Sequence, residues 1–165
     1  MNDGNVAAGQ TLIVNGQSLE ATQTFSVDGR AETDGRFRMF GGDDTDTFIG
    51  GANNDEMTGG AAADTFVYLS TADSKVALPD QILDFEVGTD TIDLSAIDAI
   101  TGGGDDPFSF IGAGAFSNTA GELRAELVGG VWQVSGDVDG VGGADFLILV
   151  TATTADPLTA ADFIP

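Results

Sequence analysis

Gly41-Gly42-Asp43-Asp44-Thr45-Asp46-Thr47-Phe48-Ile49 runs directly into Gly50-Gly51-Ala52-Asn53-Asn54-Asp55-Glu56-Met57-Thr58, and that into Gly59-Gly60-Ala61-Ala62-Ala63-Asp64-Thr65-Phe66-Val67. Each unit of nine opens with a Gly pair, carries Asp at its sixth position (Asp46, Asp55, Asp64) and an apolar residue at its eighth (Phe48, Met57, Phe66). The Gly pair and the fourth position call for positive φ or close backbone approach, which Gly accepts freely and Asn or Asp tolerates. The fourth positions hold Asp44, Asn53 and Ala62, and Ala62 reaches that conformation only at a cost. The apolar eighth positions, with Met39 one register further back, are the candidate core.

The nonapeptide resembles the G-G-x-G-x-D-x-U-x repeat of RTX proteins, which implies a parallel β-roll with two units per coil. Loops on one edge of such a roll are two units apart in sequence and about 4.8 Å apart in space. That spacing stacks Asp28, Asp46 and Asp64 along one edge, and Asp55 and Asp73 along the other. Carboxylates so close cannot all stay ionised without a counter-cation. A Ca²⁺ between successive loops removes the repulsion and takes loop carbonyls as its remaining ligands. Asp46 with Asp64 is the leading candidate pair, then Asp55 with Asp73, then Asp28 with Asp46. Asp44, Asn53, Gly42, Gly51 and Gly60 lie in the ligating loops. The alternative is a set of Asx turns that hold no metal.

Composition agrees with a turn-rich acidic fold. The 165 residues include 27 Asp plus Glu against 5 Lys plus Arg, a formal net charge of −22, and Asp supplies 21 of the acids. Asp and the 24 Gly favour turns over helices. A hydrophobic fraction of 42% with 11 Phe suffices for a core. So acidic a surface repels nucleic acid and anionic lipid. No apolar run approaches a membrane span, and no basic, apolar leader is present. With no His and no Cys, zinc sites, thiol catalysis and imidazole bases are absent. Disulfides are ruled out too, so a secreted form needs another staple, and calcium is the candidate.

The chain is expected to be all-β: a short parallel β-roll continued by an antiparallel β-sandwich. Residues 1–40 form an N-terminal β segment capping the roll, with degenerate turns over Phe25 to Phe40 and with Arg30, Arg36 and Arg38 on a solvated face. Residues 41–79 form the roll, and residues 80–165 the sandwich. In the last part, Gln81 to Phe85, Asp90 to Ser95, Phe108 to Ile111, Glu122 to Val128, Val131 to Val138 and Ala144 to Thr151 read as strands. Hairpin turns fall at Gly129-Gly130 and around Asp139-Gly140, and a single helical turn at Ala96 to Ile100.

From Gly41 onward the chain resembles the C-terminal calcium-binding domain of serralysin-type secreted proteases and related type I secreted RTX proteins. The resemblance rests on the repeats ending in Ala63 to Tyr68, on Asp80 to Asp98, on Gly121 to Leu127, on Val134 to Val150 and on the terminal Ala161 to Pro165. It implies a module that follows a catalytic domain and carries an uncleaved export signal, matched by Asp162-Phe163-Ile164. The final Pro165 departs from that pattern, and the family's zinc motif is absent. Asp80 or Asp90, which flank turns, are candidates for a further calcium site, whereas Asp84 and Asp93 cap strand ends. Asp137 to Asp145 has the look of a calcium loop with Val141 in a ligand position, and reads better as a hairpin turn.

These readings converge on a secreted, non-enzymatic module from the C-terminus of a larger exported bacterial protein. Its cofactor is Ca²⁺, and its partners are a type I secretion transporter and an upstream domain, with no nucleic acid and no membrane insertion. Two alternatives share the calcium chemistry: a structural unit of a surface-layer protein or adhesin, and an accessory module of a polysaccharide-modifying enzyme. Catalysis by Asp105 and Asp106 is disfavoured, because adjacent Asp residues before Pro107 in a Gly-rich loop read as a turn.

Overall fold

The computed structural model describes residues 6–102 and 104–165. Its thirteen described strands are short, because each Gly-rich loop interrupts the extended chain after a few residues. In order they are β1 (Thr11–Asn15), β2 (Ser26–Asp28), β3 (Arg36–Phe40), β4 (Thr47–Ile49), β5 (Glu56–Thr58), β6 (Thr65–Val67), β7 (Asp80–Phe85) and β8 (Thr91–Asp93). Then follow β9 (Ser109–Phe110), β10 (Glu122–Val128), β11 (Val131–Asp137), β12 (Phe146–Ala152) and β13 (Phe163–Ile164). One 3₁₀ turn, Ala160–Asp162, precedes β13.

From β1 to β8 successive strands alternate between two sheets, as a coiling chain requires. The long sheet has the order β1-β3-β5-β7-β12-β11-β10-β9, and the short sheet β13-β8-β6-β4-β2. Every pairing from β1 to β8 is parallel. The roll therefore runs through β7 and β8, which add one rung to each sheet. Beyond them β12, β11 and β10 pair antiparallel and extend the long sheet. The antiparallel part thus grows from the edge of the roll and shares its core. The β10–β11 hairpin turns at Gly129 and Gly130, both at positive φ (62° and 90°) as a two-residue loop of this kind demands. Residues 96–100 form bends and turns and no helix.

Within the repeats, the eighth positions supply the core. Met39 sits beside Met57 and Phe48 beside Phe66 in register, and all four are buried. The Phe48 and Phe66 rings stack at 5.3 Å, and Phe66 meets Phe85 at 6.2 Å. Identical residues one rung apart give a continuous apolar column between the sheets, which holds the acidic loops at fixed spacing on both edges.

Candidate metal centre

Each sixth-position Asp turns its carboxylate back over its own loop. Asp46, Asp55 and Asp64 are buried, and a Cβ on the first Gly of each unit (Gly41, Gly50, Gly59) would run into the second carboxylate oxygen, Oδ2. That contact is why the first Gly is needed. The second Gly answers to the neighbouring coil: a Cβ on Gly60, at φ 105°, would strike the Gly42 carbonyl oxygen. Ala61 donates to that same carbonyl at 3.0 Å.

The carboxylates then link coil to coil. On one edge the Phe25 N–H donates to Asp46 Oδ1 (2.6 Å), the Asp46 N–H to Asp64 Oδ1 (2.8 Å), and the Asp64 N–H to Asp90 Oδ1 (3.0 Å). On the other edge the Phe37 N–H donates to Asp55 Oδ1 (2.7 Å) and the Asp55 N–H to Asp80 Oδ1 (2.8 Å). Two ladders result, Asp46–Asp64–Asp90 and Asp55–Asp80.

These ladders correct the stacking expected from the repeat. Asp28 does not stack on Asp46. It pairs in register with Ile49, is exposed, and binds the Arg30 guanidinium at 2.9 Å. Phe25 occupies the rung instead, 21 residues before Asp46, because the segment from β2 through β3 is longer than one unit. Asp73 does not stack on Asp55 either. The long connection after β6 places Asp80 on that rung, 25 residues on, while the Asp73 carboxylate accepts the N–H groups of Leu69 and Ser70 in its own loop. Asp80 and Asp90, expected only as a side site, are the rungs themselves. Ser74 fixes Asp80 by accepting its N–H at 2.8 Å and donating to the Leu147 carbonyl.

The loops are not equivalent. Asn53 (φ 82°) and Ala62 (φ 68°) take the left-handed conformation the fourth position calls for, and Asp44 does not. Asn53 donates to the Thr33 and Gly35 carbonyls, whereas Asp44 caps Thr45. In the first loop the Gly42 N–H donates to Asp46 Oδ2 at 2.6 Å, so both oxygens of Asp46 are engaged. Gly51 is buried and Gly60 exposed, both at positive φ, and Gly42 is buried without it. Asp84, read as a strand cap, accepts the N–H groups of Gly59 and Gly60. Asp93 accepts from Ser95.

Three buried carboxylate oxygens have no hydrogen-bond partner: Oδ2 of Asp55, of Asp64 and of Asp80. Burial pushes the Asp55 and Asp64 carboxyls up to about 7, and the negative charges of Asp90 and Asp46 add to the effect at Asp64. Asp80 is driven well above the usual carboxylate range by burial and by the charge of Asp55. Asp90 and Asp73 are raised by burial as well. The Tyr68 hydroxyl, buried and outside regular hydrogen-bond geometry, is pushed well above its usual range by burial and by the charges of Asp80 and Asp55, and its interaction with Asp80 partly offsets the rise in that carboxyl. A buried carboxylate oxygen without a donor is costly unless a cation or a proton meets it. These donors are hard oxygens at loop edges, rich in nearby carbonyls and free of N or S ligands, so they suit Ca²⁺.

A separate acidic group sits at the β11–β12 turn, where one carboxylate oxygen each from Asp137, Asp139 and Asp145 lie within 4.8 Å of one another. Their carboxylates accept backbone N–H groups of Val138, Gly140, Val141 and Gly142, the bonding of a tight turn. Asp105 and Asp106 line a shallow polar hollow with Ser95, Pro107 and Pro165.

Comparison with known proteins follows the same lines. A model of the family described as peptidase M10 serralysin C terminal matches residues 39–165. Serralysin A of Dickeya chrysanthemi is 67% identical over 33 residues, 20% of this chain and 7% of that protein. Metalloprotease AprA of Pseudomonas entomophila (strain L48) is 39% identical over 93 residues, 55% of this chain and 19% of that protein. The chain therefore spans only a small part of the length of these relatives. Among solved structures, the AlgE6R3 subunit of the Azotobacter vinelandii mannuronan C5-epimerase superposes with a TM-score of 0.57 at 20% identity, over 99% of this chain and 82% of that one. The AlgE6R2 subunit gives 0.53 at 22% identity, over 94% and 91%. At such identity the likeness is one of fold.

Proposed function

The chain belongs to the peptidase M10 serralysin C-terminal family, and on that premise we propose that it is a non-catalytic, secreted module that folds around calcium. The observation that carries this reading is the set of orphaned, buried Oδ2 atoms of Asp55, Asp64 and Asp80 on the edges of a parallel roll. Asp64 on one edge, and Asp55 with Asp80 on the other, would hold the ions through their free oxygens, while Asp46 and Asp90, whose carboxylate oxygens are taken by backbone N–H groups, position Asp64. Bound calcium supplies charge neutralisation and fixed oxygen coordination. The chain supplies the spacing, through its apolar column, and the backbone bonds that keep each carboxylate facing its loop.

Magnitudes favour a stabilising role. For an extracellular-type Kd near 10⁻⁴ M and calcium of roughly 1–10 mM, each site contributes about 1.4–2.7 kcal/mol. A few such sites are comparable to the stability of a whole domain. Where calcium is scarce the acidic chain stays expanded, which suits passage through a type I transporter; where calcium is abundant it folds. Two experiments test this. Calorimetric titration should find calcium binding at millimolar concentrations or below, with Mg²⁺ much weaker because its strict octahedral shell fits such loops poorly. Fusion of residues 1–165 to a passenger should allow export through a matching transporter. Absence of calcium binding would overturn the reading of the roll, and absence of export would overturn the secretory role. The surface-layer and polysaccharide-enzyme alternatives share the ladders and differ in what precedes this segment in the parent protein.

A further inference from the structure

We propose that β13 is a further rung of the roll, at the edge of the short sheet, and that Asp162 couples its docking, through the Asp90 loop, to the cation site at Asp64. The proposal rests on the calcium-binding reading above and adds to it a link between metal occupancy and the chain terminus.

The topology comes first. β12 pairs parallel with β7, and β13 pairs parallel with β8, so β12, the connection after it and β13 repeat the path of β7, its loop and β8. The end of the chain thus makes one more pass over the ladder edge, although no repeat marks it in the sequence. Packing holds it there. Phe163 is buried and its ring lies 5.2 Å from that of Phe110, Leu158 is buried, and the Leu94 N–H donates to the Ile164 carbonyl at 2.8 Å.

Asp162 makes the connection. It is fully buried, and its Oδ1 accepts the Gly88 N–H at 2.7 Å, across 74 residues of chain. Its Oδ2 accepts the Thr159 N–H at 2.6 Å and the Thr159 hydroxyl at 3.0 Å, which closes the turn before β13. Gly88 lies in the loop that delivers Asp90. In that loop Asp90 Oδ2 accepts the Glu86 N–H and Asp90 Oδ1 accepts the Asp64 N–H, while Thr89 and Asp90 donate to the Glu86 carbonyl. Gly88 itself has positive φ (79°) and open space where a side chain would stand, and the Asp162 carboxylate holds its N–H at the tip of this loop. With both carboxylate oxygens taken by backbone and hydroxyl donors, Asp162 acts as a positioning residue and offers the ion no free oxygen. Coupling between two sites is reciprocal. An ion at Asp64 that tightens the Asp64–Asp90 rung therefore favours docking of residues 158–165, and docking of those residues raises affinity at that site.

Hydrogen exchange on the 165-residue chain, resolved by mass spectrometry during a calcium titration, reads this directly. Peptides covering 86–90 and 158–165 should gain protection together, at one calcium midpoint. In parallel, calcium titration of two variants separates positioning from general stability. Asp162→Ala removes the acceptor for Gly88 and should weaken one site by about tenfold, leaving the Asp55–Asp80 site unchanged. Thr159→Ala loosens the same turn but keeps the Gly88 contact, and should leave that affinity within about twofold of wild type. Should Asp162→Ala fail to fold, the exchange midpoints of the wild-type chain still decide. Calcium binding with the two segments protected at separate midpoints, or equal effects of both variants, would overturn the coupling alone. A wild-type chain that binds no calcium would overturn the coupling and the functional reading together.

Discussion

Asp64 sits between two other carboxylates of its ladder, gives one oxygen to the Asp46 N–H and keeps the other buried without a donor. Asp46 looks equivalent in sequence, but its second oxygen is already bonded to the Gly42 N–H. Asp64→Ala should therefore remove a calcium ion from the titrated stoichiometry and also strand a buried N–H, at a cost of about 1–3 kcal/mol in chemical denaturation. Asp28→Ala, at an exposed ion pair away from the ladders, should change neither. Equal stoichiometry for Asp64→Ala and wild type would refute the assignment. The raised carboxyls give a second prediction at this scale, for protein held in excess chelator. With folded-state values near 7 for Asp55 and Asp64, against about 3.9 in an unfolded chain, the folded state binds more protons across that interval. Their stabilising effect is then full below about pH 4 and is lost as pH rises through 7. Chelated protein should show more β signal at pH 5 than at pH 8, and an Asp55→Asn, Asp64→Asn double variant should shrink the difference. A chelated fold indifferent to pH, or stronger at pH 8, would contradict this.

At the scale of elements, the column of eighth-position side chains sets the spacing of the loops. Phe66 stacks on Phe48 and touches Phe85, all three buried. Phe66→Ala should cost about 3–5 kcal/mol in denaturant unfolding with calcium saturating. A loss below about 1 kcal/mol would mean that the column is not the core. This column was readable from the chain because β3 to β6 keep the period of two units, and Asp46–Asp64 and Phe37–Asp55 are each 18 residues apart. Outside that stretch the period breaks. Longer connections put the next rungs 25 and 26 residues on, at Asp80 and Asp90, where no Gly pair announces them. A signal was nonetheless present: Asp80-Gln81-Ile82 and Asp90-Thr91-Ile92 repeat the Asp-x-apolar spacing of Asp46-Thr47-Phe48 and Asp64-Thr65-Phe66. Counting from the Gly pair misses it, whereas counting from the Asp-x-apolar triplet finds it. The terminal rung was illegible for a different reason. β13 reaches its place through pairing with β8, a contact of high sequence separation that no local pattern encodes.

For the whole molecule, the formal charge of −22 and the burial of ladder carboxylates pull against each other. Self-repulsion favours an expanded chain, and the buried oxygens on both edges disfavour closing the roll unless a cation or protons meet them. With no disulfide to hold the fold, the proposed metal binding would be the main lever on its stability. The measurement that bears most directly on this is far-UV circular dichroism of the 165-residue chain at pH 7.5, first in excess chelator and then with calcium added to a few millimolar. The chelated chain should give a largely unordered spectrum. Calcium should bring up β signal with a cooperative midpoint and a higher melting temperature, and equal Mg²⁺ should do much less. A β spectrum and melting temperature that are the same in chelator and in calcium would contradict the account.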